Sequence, residues 1–244
     1  MSAISPQTIA NELSDKILAY DSESIGAEFE LAQIRRGIDK LKLVDAKTAY
    51  LLEGFYYTYC QPHKERAMSV IEKSLRLDSS NPTHLANAGT VYRAWGELDL
   101  SCDLYADAFV KGNVIEIIDT LASQSFINAN LDEVYPKIET MLKNSSGKVV
   151  SDFLRVYRQF SKVDKNDLLF FKDKLVQVLG TFKKDISEVA IVDLDDKTSF
   201  VSVAVKSKSI DEALDMNAML EDLVIDSLEK SPSNLTVNYS FILK

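Results

Sequence analysis

The feature that most constrains this chain is an internal repeat. Residues 46–78 align on residues 81–112. Gly54 falls on Gly89 and Tyr57 on Tyr92, both 35 residues apart, whereas Ile71, Ser74 and Leu75 fall on Tyr105, Ala108 and Phe109, each 34 apart. One extra residue, placed in the Cys60–His63 turn, accounts for the change of offset. Each unit reads as a helix, a short turn and a second helix. Units of this length cannot bury an apolar face alone, so they must stack on their neighbours.

The pattern around the repeat is helical as well. Gly (8) and Pro (5) are scarce among 244 residues, which suits helices because both destabilise helix interiors. Ser5-Pro6 followed by Ile9, Leu13 and Ile17 reads as a capped amphipathic helix. A second helical pattern runs over about 23–43. Helical patterns with very short breaks fill 46–142, which implies antiparallel neighbours. Asn144-Ser-Ser-Gly147 is a loop, and two more helices follow at about 148–161 and 166–183.

After about residue 186 the period changes from helical to alternating. Val189–Val192 and Phe200–Val205 are β-rich runs around the polar turn Asp193–Thr198, a hairpin pattern. Ser209 with Glu212 three residues later is a capping box opening a helix. Thr236–Leu243 alternates like a last strand. The expected fold class is therefore α+β. An antiparallel helix-turn-helix array of roughly eight to ten helices spans 1–186, and a small ββαβ module spans 187–244.

The repeat positions resemble the tetratricopeptide repeat. In residues 82–113 the match includes Leu85, Gly89, Tyr92, Gly96, Leu98, Tyr105, Ala108 and Phe109, preceded by the Leu77-Asp78-Ser-Ser-Asn81-Pro82 junction. Gly89 and Ala108 let helices approach, Gly96 permits the turn, and Tyr92 and Tyr105 fill space between units. In residues 46–78, Gly54, Tyr57 and Leu75 match while Glu53 and Ser74 depart from the pattern. A third unit at about 116–143 matches through Ser123 and Phe126 but carries Pro136 inside its second helix. The resemblance covers roughly 100 residues.

Such arrays, the resemblance implies, present an inner groove lined by the first helices to a partner peptide or helix. Carried over by position, that groove takes Thr48, Leu51, Phe55, Thr58 and Tyr59 from the first unit. The second unit gives Thr83, Ala86, Thr90, Arg93 and Ala94, and the third gives Thr120, Gln124, Ile127 and Asn128. The Lys/Asn clamp that some members use for a terminal carboxylate is missing, so an apolar or amphipathic helix is the expected ligand. Phe55 and Tyr59 are one turn apart with Arg93 expected beside them, and aromatic and Arg side chains dominate interface hot spots. The alternative for Phe55 and Tyr59 is burial under the preceding helix. Tyr57 is expected to pack.

Other conspicuous residues read as structural. Cys60 and Cys102, the two cysteines, are expected to be buried thiols rather than a disulfide. Cys60 and His63 form half a metal site at most, since zinc needs four ligands, and His84 is expected to be exposed. Asp193, Asp195 and Asp196 read as a solvated turn rather than a magnesium site. No phosphate loop or catalytic motif is present. The expectation is no enzyme activity, no cofactor and no metal.

The net charge of −9 is uneven: residues from Glu188 onward hold 11 acids and 5 bases. An acidic module repels phosphate backbones, so nucleic acid is not an expected partner. No apolar run is long enough to span a bilayer, and no secretory leader is read at the N-terminus, so cytoplasmic residence is expected. An uncovered edge of the C-terminal sheet invites a second copy, a homodimer route. The leading expectation is a non-enzymatic protein-interaction module: an adaptor, chaperone or regulator. Its rival is an acidic neutralising protein, of the immunity-protein, antitoxin or phage-inhibitor kind, that masks a basic partner.

Overall fold

The structure is a computed structural model that describes residues 5–145, 147–182, 186–193, 199–205, 209–227 and 237–243. Among these residues it is mostly helical, with eleven α-helices and a small sheet. The chain divides into two compact units, Met1–Trp95 and Gly96–Lys244.

The first unit holds α1 (Pro6–Ala19), α2 (Ala27–Lys42), α3 (Ala46–Phe55), α4 (Lys64–Leu77) and α5 (Pro82–Ala94). The helix starts follow the local chemistry. Ser5 accepts from the Thr8 N–H at the head of α1, Asp45 from the Thr48 N–H at α3, and Asn81 from the His84 N–H at α5. Pro6 and Pro82 occupy first-turn positions, where the missing N–H costs nothing. The core is an apolar stripe from each helix, including Leu13, Ile17, Ile34, Ile38, Leu41, Ala49, Leu52, Ile71, Leu85 and Val91.

Glu53 and Ser74, in the first of the two aligned stretches, both sit in buried polar clusters. Glu53 is buried, and its carboxylate oxygens lie 2.7 Å from Arg35 Nη1 and 2.8 Å from Lys42 Nζ. Ser74 is fully buried and donates to the Lys47 carbonyl at 2.6 Å. Its hydroxyl also lies 2.6 Å from His84 Nε2. His84 is thus an interior residue, 6% exposed, contrary to the expectation of a surface position. It opens α5, but its ring turns inward to meet the hydroxyl on α4.

The second unit holds α6 (Leu98–Gly112), α7 (Ile118–Ile127), α8 (Leu131–Asn144), α9 (Lys148–Phe160) and α10 (Lys165–Phe182), followed by the ββαβ elements. Gly96, at φ +76°, supplies the left-handed residue expected in the turn before α6. Pro136 lies inside α8, as the sequence placed it. All residues of α7 from Leu121 to Ile127 are buried, because α6, α8, α9, α10 and the sheet surround that helix.

The sheet comprises β1 (Ile186–Asp193), β2 (Ser199–Val205) and β3 (Val237–Leu243), in the order β1-β2-β3. β1 pairs antiparallel with β2, from Ile186 opposite Val205 to Asp193 opposite Ser199. β2 pairs parallel with β3, from Ser199 opposite Val237 to Val205 opposite Leu243. A parallel pair needs a crossover, and α11 (Ile210–Ile225) supplies it, with the Ser209 hydroxyl accepting from the Glu212 N–H as its cap. Val201, Val203, Val205, Met216 and Leu220 fill the interior of this module.

At the β3 edge the Asn217 side chain bonds both backbone groups of Phe241. Its Oδ1 accepts from the Phe241 N–H at 2.8 Å and its Nδ2 donates to the Phe241 carbonyl at 3.0 Å. An incoming strand at the β3 edge would therefore meet an occupied position at Phe241.

Candidate functional site

The extra residue of the first repeat is found inside a helix rather than in a turn. Residues 61–63 and 95–97 are connections of equal length, but the first-repeat helix continues beyond Phe55 through a π-helical turn over Tyr56–Cys60. Gln61 N–H bonds the Tyr56 carbonyl at 2.9 Å, five residues back. The alignment had put the insertion at Cys60–His63. A single inserted residue is accommodated in a helix as one wide turn, and such turns recur at functional sites.

This turn sets the direction of the aromatic side chains. Tyr56 and Tyr57 are buried, with their rings edge to face at 5.3 Å. Phe55 is half-buried and Tyr59 is 37% exposed; their rings stack at 6.0 Å with planes 15° apart. Both therefore keep surface in contact with solvent rather than vanishing under the preceding helix. Thr58, between them, donates to the Gly54 carbonyl at 2.8 Å and accepts from the Trp95 indole N–H at 3.0 Å. Trp95 follows Arg93 by two residues and so ties the end of α5 to the aromatic turn.

The remaining predicted residues separate into two groups. Thr48, Thr90 and Arg93 belong to the first unit and are partly exposed, whereas Leu51 is 5% exposed and serves the core. Gln124 and Asn128 belong to the second unit and are interior residues, at 0% and 2% exposure, rather than groove lining. Gln124 Oε1 accepts from the Ser101 hydroxyl at 3.0 Å, and Asn128 Nδ2 donates to Asp99 at 2.5 Å. Their helix, α7, is surrounded, so helical spacing put them on a face that has no solvent side.

Trp95 was missed by the sequence reading. A tryptophan just past a helix end gives no periodic signal, and its partner hydroxyl lies 37 residues away.

The environment of both cysteines disfavours the thiolate. Burial pushes both thiols up to about 12, with a nearby carboxylate adding to the effect at Cys60, and thiolate is the reactive form. Both are free and buried. Asp195 and Asp196 lie outside the described residues, and among those described no cluster of His, Cys, Asp or Glu is arranged to hold a metal ion. No helix among the described residues is long and apolar enough to cross a membrane. No protein-family model, no curated protein and no solved structure matches the chain.

Proposed function

We propose that the first unit is a tetratricopeptide-like binding module that takes an apolar or amphipathic helix of a protein partner at Phe55, Tyr59, Trp95 and Arg93, with Thr48 and Thr90 at its margin. The observation that carries this reading is the stacked, solvent-facing Phe55–Tyr59 pair on a π-helical turn, held in place by the Thr58–Trp95 hydrogen bond. A rigid aromatic pair offers contact area at small entropic cost. The repeat reading is supported by α3 and α4 packing as a hairpin. Its small residue Gly54 faces Ile71 so closely that a Cβ there would stand 2.5 Å from the Ile71 side chain. On this reading the protein acts without catalysis, as an adaptor or regulator in the cytoplasm.

The test is affinity capture from extract with the intact chain and with a Phe55→Ala/Tyr59→Ala variant. The expected outcome is a partner retained by the first and lost by the second, with the melting temperature nearly unchanged. Identical captured sets, or a melting temperature lowered by many degrees, would sink the assignment.

One observation favours a second reading, in which acidic surface masks a basic partner. The helix α11 carries exposed Asp211, Asp215, Glu221 and Asp222, with exposed Asp226 at its C-cap, and no basic residue. Salt separates the two readings: binding through aromatic anchors tolerates it, and acidic masking does not.

A further inference from the structure

The opposite side of α3 carries a second surface, built from charge rather than exposed aromatic area. Tyr50 on α3 and Tyr57 on the π-helical turn that continues it share one side of this element. Each ring is bracketed by two cations, one from α2 and one from α4. Arg35 stands 5.9 Å and Arg66 5.7 Å from the Tyr57 ring centre; Lys42 stands 5.4 Å and Lys73 6.0 Å from that of Tyr50. Arg35 and Lys42 are seven residues apart, as are Arg66 and Lys73. The result is a ladder of two rungs across three antiparallel helices, with rungs about 10.5 Å apart, two helical turns.

The ladder is half neutralised. Arg35 and Lys42 share the buried Glu53 carboxylate between the rungs and also reach Asp39. Arg66 and Lys73 are exposed, and among the described residues neither has a carboxylate partner; each is placed by its tyrosine instead. Residues 35–42 and 64–77 together hold 8 bases and 3 acids, in a chain whose net charge is −9. The first unit as a whole has 12 acids and 11 bases, so the positive charge is concentrated on this face.

We propose that this face docks an acidic helix of a protein partner, with two carboxylates seven residues apart pairing with Arg66 and Lys73. A helix lying along α4 presents side chains at positions i and i+7 with the same separation as the two rungs. Cations already held over aromatic rings lose less freedom when they pair, which favours binding. The overall charge of −9 repels an extended polyanion at long range, whereas a short acidic helix pairs locally. The surface is separate from the Phe55–Tyr59 face and does not depend on it.

The test uses the full chain and a fluorescein-labelled alanine-based helical peptide without an apolar face, with Glu at positions i and i+7, beside a composition-matched peptide with those Glu residues moved. Fluorescence anisotropy reads binding. The ordered peptide is expected to bind, to weaken steeply between about 50 and about 300 mM salt, and to lose at least about tenfold in affinity with Arg66→Gln/Lys73→Gln. Arg66→Lys/Lys73→Arg retains binding. Circular dichroism melting confirms that both ladder variants are folded. The proposal is overturned by no binding, by equal affinity for the rearranged peptide, or by Arg66→Gln/Lys73→Gln having no effect. Stronger binding of a single-stranded RNA oligonucleotide would overturn it in favour of nucleic acid.

Discussion

His84 Nε2 and Ser74 Oγ lie 2.6 Å apart in the interior of the first unit. The Ser74 hydroxyl has one proton and gives it to the Lys47 carbonyl, so it accepts from His84, which fixes the neutral imidazole with its proton on Nε2. Burial is the largest cause of a His84 pKa below the ordinary 6.5. The unfolded chain then binds a proton at a higher pH than the folded one. Stability is complete above about pH 6.5 and falls as the pH drops below it. Melting temperatures from about pH 7.5 to about pH 5.5 should fall more for the natural chain than for His84→Gln. Equal slopes would show that His84 does not report its burial. Ser74→Ala leaves the buried N–H without its acceptor and should cost about 1–3 kcal/mol.

Gly54 on α3 faces Ile71 on α4 with no room for a side chain. A Cβ there would stand 2.5 Å from Ile71 Cδ1 and 2.8 Å from Ile71 Cγ1. Gly54→Leu should destabilise the first unit by about 1–3 kcal/mol or more through overpacking, read as a lowered midpoint in urea. Gly54→Leu with Ile71→Ala should recover part of the loss. An unchanged midpoint for the single variant would remove the contact on which the repeat alignment is anchored.

Glu53 is the counter-ion of Arg35 and Lys42 in a buried position. Glu53→Gln keeps the shape and removes the charge. The expected loss is about 1–3 kcal/mol, below the ~3–5 of a fully buried pair, because both cations are partly exposed. Chemical denaturation measures it, and a variant as stable as the natural chain would show that the pair contributes nothing net.

Asn217 joins α11 to β3 through the Phe241 backbone. Asn217→Ala leaves an N–H and a carbonyl at the sheet edge without their partner, which should lower stability by about 1–3 kcal/mol. It also opens that position to strand pairing. Size-exclusion chromatography should show concentration-dependent association for the variant beyond that of the natural chain. Matching elution profiles would show that Asn217 does not guard the edge.

The sequence by itself determined the local elements. Ser5, Asp45, Asn81 and Ser209 cap helices because a short oxygen-bearing side chain satisfies an N–H two or three residues on, a purely local bond. The switch from helical to alternating pattern near residue 186 has the same local character, and β1 begins at Ile186. The tertiary structure decided which face of each helix meets solvent. Gln124 and Asn128 share the spacing of a groove face, yet residues 121–127 of α7 are all buried, and the residues these two side chains bond to lie 23 and 29 residues away. His84 turned inward for the same reason, since its acceptor is on another helix. Where the extra residue of the first repeat goes was equally illegible. Helix and turn can both absorb an insertion, and the choice of a π-helical turn at Tyr56–Cys60 appears only once Thr58, Gly54 and Trp95 are brought together.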